Sequence, residues 1–146
     1  MITNNYTSTL VVEQTPHQVF EALKNVRGWW SGLFSEKIEG GSEKIGDEFT
    51  IFAGGDVHYT KQKLVELVPD QKIVWVVTDS KLTFVPDQTE WTDTKLQFEI
   101  VPEGDHTKIL FTHIGLVPEF QCYEACAPAW TQYIQKQLAH FLQTNN

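Results

Sequence analysis

The side chains able to do chemistry in this chain are few: His113, the adjacent His58 and Tyr59, Asp79, and two cysteines four apart, Cys122 and Cys126. His113 shares the strand phase of Ile109 and Phe111, so it points toward whatever those residues bury against. In an apolar pocket its imidazole would be a neutral anchor or a proton carrier; in a packed core it would be a histidine bonded to a neighbouring backbone group or hydroxyl. His58 and Tyr59 open a strand after Gly54-Gly55, and alternation turns one of them inward without saying which. If the chain is an enzyme, the set that could act is His113 as acid or base, assisted by Tyr59 or Asp79.

Cys122 and Cys126 fall in a helical stretch, where buried free thiols are the simplest outcome. With His58 and His113 they make a two-Cys, two-His zinc set in composition only, since the ligands come from three separate elements, and no metal is expected. The carboxylates Glu119, Glu124 and Glu90 to Asp93 read as a solvated rim. No Gly-x-Ser-x-Gly elbow, phosphate loop or dinucleotide fingerprint occurs, so no cofactor is expected either.

The elements that must position these residues follow from periodicity. Tyr6 to Val12 is β-branched and reads as a strand, stopped by Thr15-Pro16, an N-cap followed by proline at the first helical position. Val19, Phe20 and Leu23 give that helix one buried face, and Asn25 to Trp30 reads as a second short helical turn. The Trp29-Trp30 pair should send one ring inward and leave the other to rim an opening. Glu36 to Asp47 is glycine-rich and charged, a loop.

Five strands in meander order are predicted at Glu48 to Phe52, Val57 to Val68, Ile73 to Thr78, Lys95 to Val101 and Thr107 to Ile114, making six with the first. Lys95 to Ile100 alternates strictly, as in a sheet with one wet face. Ile73 to Val77 does not alternate and should be buried on both sides. The long connection between Thr78 and Lys95 carries Leu82, Phe84 and Trp91 and is expected to fold over something. Trp130, Ile134, Leu138, Phe141 and Leu142 form the apolar stripe of a long closing helix, with Glu119 to Ala127 as a helical segment before Pro128.

The fold class is therefore α+β, with 1–146 expected as a single domain. One long helix on one curved antiparallel sheet should leave a cavity between them. The residues expected to line it are Trp30, His58, Tyr59, Trp75, Phe98, Phe111, His113, Cys122, Tyr123, Cys126, Trp130 and Ile134. Five Trp, nine Phe and four Tyr supply rings enough for both core and walls.

A net charge of −8 with a single arginine, Arg27, argues against nucleic acid and acidic membranes as partners. No run approaches the ~20 apolar residues of a spanning helix, and Met1 to Asn5 lacks the basic region and apolar run of a signal peptide, so a soluble cytoplasmic protein is expected.

Thr15-Pro16-His17-Gln18-Val19-Phe20, then Trp29-Trp30, Gly46-Asp47-Glu48-Phe49, Val74-Trp75 and Phe111-Thr112-His113-Ile114-Gly115-Leu116 leading to Trp130 carry a resemblance over essentially the whole chain. The pattern resembles the START-like or SRPBCC superfamily, and within it the branch similar to the C-terminal domain of the activator of Hsp90 ATPase. That resemblance implies a helix-grip, Bet v 1-like fold: a six-stranded antiparallel sheet wrapped around the C-terminal helix, with two short helices between strands 1 and 2. It implies a pocket for a small hydrophobic or amphipathic molecule. The superfamily also includes polyketide cyclases and chaperone-linked domains, so a cyclase, dehydratase or hydrolase, or a chaperone-linked or stress-response interaction domain meeting a chaperone or a second copy of itself, are the alternatives.

Overall fold

In a computed structural model that describes residues 5–55 and 57–144, the chain forms one seven-stranded antiparallel sheet and a helical layer across its concave face. Met1 to Asn4, most of the stretch read above for a signal peptide, lie outside the described residues.

β1 (Tyr6–Val12) leads to α1 (Pro16–Lys24) and α2 (Val26–Trp29). The meander β2 (Lys37–Gly40), β3 (Glu48–Ala53), β4 (His58–Val68), β5 (Lys72–Leu82), β6 (Lys95–Glu103) and β7 (His106–Ile114) follows. β7 closes against β1, giving the order β1-β7-β6-β5-β4-β3-β2. The chain ends in α3 (Tyr123–Gln132), a π-helical stretch (Tyr133–Leu138) and α4 (Ala139–Thr144), which run on without leaving helical dihedrals.

The N-terminal helix starts as its residues dictate. The Thr15 hydroxyl accepts from the Gln18 backbone N–H, the Gln18 side chain accepts from the Thr15 N–H, and Pro16 occupies the first turn. That capping box satisfies two backbone donors that a helix N-terminus otherwise leaves open.

Three expectations are corrected. The sheet has seven strands, because Lys37–Gly40 pairs with β3 inside the stretch read as loop. This edge strand is mostly exposed and carries no apolar alternation, and Gly40, at φ +101°, lies so near the Glu48 carbonyl that a Cβ would sit 2.3 Å from it. β5 runs on past Thr78 to Leu82, because a bulge inserts Thr78 between the pairs Gln62–Val77 and Lys61–Asp79. The extra residue switches phase, so polar Asp79 and Ser80 look like a strand end when they are a continuation. Finally, Glu119 to Cys122 are turns, and Pro128 lies within α3.

The concave face carries the core: Phe49 and Ile51 from β3, Ile73, Trp75 and Val77 from β5, Leu96, Phe98 and Ile100 from β6, Ile109 and Phe111 from β7. On the opposite face Val74 is also buried between its cross-strand partners Glu66 and Gln97, in keeping with the unbroken apolar run of β5. Ile134, Leu138 and Leu142 press onto the concave face from above, and Trp29 meets Phe98 edge to face at 5.4 Å. Beneath this half of the helix those side chains are 0–3% exposed.

Candidate functional site

Space is left at the other end. Between α3 and the β3–β4 hairpin lies a cavity of about 250 Å³. Its walls come from four places: Trp30 and Phe34 after α2; Ala53, Gly54, Val57 and His58 at the hairpin; Phe84 and Trp91 from the β5–β6 connection; and Ala125, Cys126, Ala129, Trp130 and Tyr133 from the helix. Small alanines on α3 leave the volume that large rings elsewhere would fill.

The mouth is built from segments stitched together through their backbones. The Gly54 N–H donates to the Phe34 carbonyl at 2.7 Å, and the Thr83 N–H donates to the Val57 carbonyl at 3.0 Å. Phe34, Val57 and Phe84 stand there 42–46% exposed, an apolar rim around an apolar hole.

The β5–β6 connection folds over the concave face as its aromatics predict. Trp91 is buried, stacked on Trp130 at 5.9 Å and edge-on to His113 at 4.6 Å. The Glu90 carboxylate accepts from the backbone N–H groups of Gln121 and Cys122, and the Gln121 side chain accepts from the Asp87 N–H. The connection is thereby strapped to the start of α3.

His113 is fully buried and fully bonded. The Trp130 indole N–H donates to its Nδ1 at 3.0 Å, so the neutral ring carries its proton on Nε2 and donates to Thr94 Oγ1 at 2.8 Å. Thr94 in turn donates to the Trp91 carbonyl at 2.6 Å. Burial, reinforced by nearby His58, lowers the His113 pKa to about 3. A second proton would have to displace the Trp130 donor, so this imidazole is a structural clamp that fixes Trp130 and, through Thr94, the Trp91 segment.

Of the residues expected at the cavity, Trp30, His58, Cys126 and Trp130 line it. Trp75, Phe98, Phe111, His113 and Ile134 do not; they are buried in the interior off the lining. Cys122 is buried behind the wall, where its Sγ accepts from the Trp91 indole N–H at 3.1 Å, and half-buried Tyr123 sits off the lining.

Tyr59 is on the other side of the sheet. Residues 58, 60, 62 and 64 face inward, and Tyr59 packs on Phe52 at 5.0 Å on the convex face with the Asp79 carboxylate beside it. Period-2 alternation therefore separates Tyr59 and Asp79 from His113 by the thickness of the sheet, and the acid–base set weighed from the sequence is not assembled.

The Trp29-Trp30 pair also differs from expectation, since both rings are buried and stacked at 5.6 Å. Among the described residues no three His, Cys, Asp or Glu side chains converge on a point where a metal could sit. The Cys126 thiol is pushed up by its contact with Cys122 and by burial, which leaves it protonated.

The lining residues that sequence reasoning missed are small or at turns: Ala53, Gly54, Val57, Ala125 and Ala129, with Phe34 and Tyr133. A signal for the β4 phase was present. Lys61 and Lys63 share the phase of Tyr59 and belong on the wet face, which assigns His58 to the inner one.

The architecture has many counterparts of low sequence similarity. The Aha1 dimer of Colwellia psychrerythraea, solved in solution, superposes with a TM-score of 0.70 at 20% identity, over 97% of this chain and 96% of that one. A crystal structure from Chromobacterium violaceum gives 0.73 at 19% identity, over 97% and 99%. A solution structure from Arthrobacter aurescens gives 0.76 at 10% identity, over 97% and 87%. At these identities the likeness speaks for the fold alone. No curated protein matches the chain in sequence. No helix among the described residues is long and apolar enough to cross a membrane. The family model described as "Activator of Hsp90 ATPase homolog 1-like protein" matches residues 13–143, and with its helix-grip architecture the chain belongs to that family.

Proposed function

We propose that this chain holds a small hydrophobic or amphipathic molecule in the cavity between α3 and the β3–β4 hairpin. The observation that carries the reading is an apolar, ring-lined hole of about 250 Å³ with an exposed apolar rim. Apolar walls that do not pack against one another gain contacts and shed water when an apolar guest enters. The volume is just under the ~300–1,000 Å³ of typical ligand pockets, which suits a compact ring-bearing molecule better than a long-chain lipid.

The test uses a solvatochromic naphthalene dye and the Ala129→Phe variant, whose new ring projects into the cavity from α3. The proposal expects saturable one-to-one binding to the wild type and at least a tenfold loss in the variant, with the fold intact by circular dichroism. Equal binding by both proteins would move the site elsewhere.

A second reading, docking onto an Hsp90-type chaperone or a second copy of the chain, draws on the family description and on the same rim of Phe34, Val57 and Phe84. Stimulation of an Hsp90-type ATPase and a concentration-dependent sedimentation coefficient would favour it. Both should weaken in Phe34→Ser/Phe84→Ser.

A further inference from the structure

The polar atoms around the cavity are nearly all engaged. The indole N–H groups of Trp91 and Trp130 are donated to Cys122 Sγ and His113 Nδ1. The Tyr133 hydroxyl donates to the Glu36 carboxylate, which also accepts from the Leu33 and Phe34 backbone N–H groups. One atom stands out: Nδ1 of His58 is buried and, the residue's own backbone aside, has no hydrogen-bond partner among the described residues. Two other buried side-chain atoms, Gln62 Oε1 and Trp75 Nε1, share that condition, but they belong to residues that do not line the cavity. A buried polar atom without a partner is costly, on the order of 1–3 kcal/mol, and a guest settled against this residue can offset that cost by supplying one.

The imidazole is held by rings on two sides. Trp91 meets it edge to face at 4.9 Å and Phe84 stacks on it at 6.3 Å, and both of these rings line the same cavity. None of the thirteen lining residues is a carboxylate, lysine or arginine. A charged guest would lose its hydration with no counter-charge on the wall, since the Glu36 carboxylate lies behind Tyr133 and is already bonded to Tyr133, Leu33 and Phe34, and the chain's net charge of −8 further disfavours an anion.

We propose that His58 selects the occupant of this cavity: an uncharged aromatic molecule bearing one hydrogen-bonding group, a phenol or an aryl ketone, which pairs with the His58 imidazole while its ring lies among Trp30, Trp91 and Trp130. The inference rests on the cavity being a binding site and adds to it the chemistry of the guest. A neutral imidazole carries a lone pair on one ring nitrogen and an N–H on the other, so it serves a hydroxyl or a carbonyl partner by choice of tautomer. Burial, weakly opposed by the residue's own backbone, lowers the His58 pKa to about 4, which keeps the ring in that neutral form near pH 7.

The experiment compares 2-naphthol with its isostere 2-methylnaphthalene on the wild type, on His58→Phe and on His58→Asn, with binding read by tryptophan quenching and folding by near-ultraviolet circular dichroism. The wild type is expected to bind both. His58→Phe should weaken 2-naphthol by about tenfold, the factor a single hydrogen bond of ~1.4 kcal/mol supplies, and leave 2-methylnaphthalene within about twofold. His58→Asn keeps a polar atom near the Nδ1 position and should retain most of the preference, which provides a folded comparison if His58→Phe is damaged. The anion 2-naphthoate and the cation 1-naphthylmethylammonium should bind more than about tenfold weaker than 2-naphthol, lacking a counter-charge. A naphthol-to-methylnaphthalene ratio unchanged by His58→Phe overturns the role of His58, and equal binding of a charged analogue overturns the uncharged guest. If 2-methylnaphthalene itself fails to bind the wild type, the cavity reading fails first, and the role of His58 falls with it.

Discussion

Acidification should loosen this fold through His113, and the size of the effect follows from its surroundings. The folded-state pKa of about 3 lies well below the ordinary 6.5, so as pH falls the unfolded chain takes up a proton that the folded chain refuses. The contribution is therefore complete above pH 6.5 and is lost progressively toward pH 3. From pH 7 to pH 5 the loss is about 2 kcal/mol, rising to about 5 kcal/mol by the time the folded ring itself titrates. His58, at about 4, loses a similar ~2 kcal/mol over the same interval. Against a total of roughly 5–15 kcal/mol for a domain, the two rings make mild acid a serious stress.

His113→Asn isolates the first ring, because the Asn side-chain oxygen can take the Nδ1 place and still accept from Trp130. It should cost about 1–3 kcal/mol at pH 7, since Thr94 loses its partner. It should also flatten the pH dependence, with about 2 kcal/mol less stability lost between pH 7 and pH 5 than in the wild type. Urea unfolding followed by tryptophan fluorescence at both pH values gives the four free energies, and with a slope of ~1–3 kcal/mol/M the difference is on the order of 1 M in midpoint. Groups that do not interact with His113 contribute equally to both proteins and cancel in the comparison. If the variant and the wild type lose the same stability on acidification, His113 does not titrate as argued and the clamp is wrong.

Three further outcomes follow from the same contacts. Thr15→Ala removes the hydroxyl half of the capping box and should lower stability by about 1 kcal/mol in urea unfolding, with ligand binding unchanged. Trp91→Ala deletes a ring stacked on Trp130 and edge-on to His113, should cost about 3–5 kcal/mol in the same assay, and should enlarge the cavity so that bulkier dyes bind. Cys122 and Cys126, buried with the latter thiol pushed up, should resist iodoacetamide at pH 8 in the native state and both react once urea unfolds the chain, as intact mass will record.

Where residue type sets local geometry, the sequence was a sufficient guide. Thr15-Pro16 marked the helix start, Lys95 to Ile100 marked a strand with one wet face, and Trp130 to Leu142 marked the stripe that grips the sheet. The edge strand Lys37–Gly40 was illegible because an exposed edge needs no apolar pattern, and its pairing with β3 is a long-range fact. The bulge at Thr78 hid the last third of β5 by shifting its phase.

The cavity was legible as an architectural consequence and illegible in its place. Expectation put it under the helix from Cys122 to Ile134, whereas Ile134 is buried in the core and the open volume lies at the α3 end, from Ala125 to Tyr133. What is left unfilled depends on Ala53, Ala125 and Ala129, whose small size carries no periodic signal. On β4 the inner face is His58, Thr60, Gln62 and Leu64, so the usual rule of apolar residues inward gave no lead there.

The five tryptophans make the central claim directly measurable. Trp30, Trp91 and Trp130 line the cavity, whereas Trp29 and Trp75 are buried away from it. Titration of 2-naphthol into the ¹⁵N-labelled protein, with the indole N–H resonances assigned by single Trp→Phe variants, separates the two sets. The cavity account predicts saturable shifts of the first three resonances and near silence from the other two. No shift at saturating probe, or larger shifts of Trp29 and Trp75 than of the lining set, would contradict it.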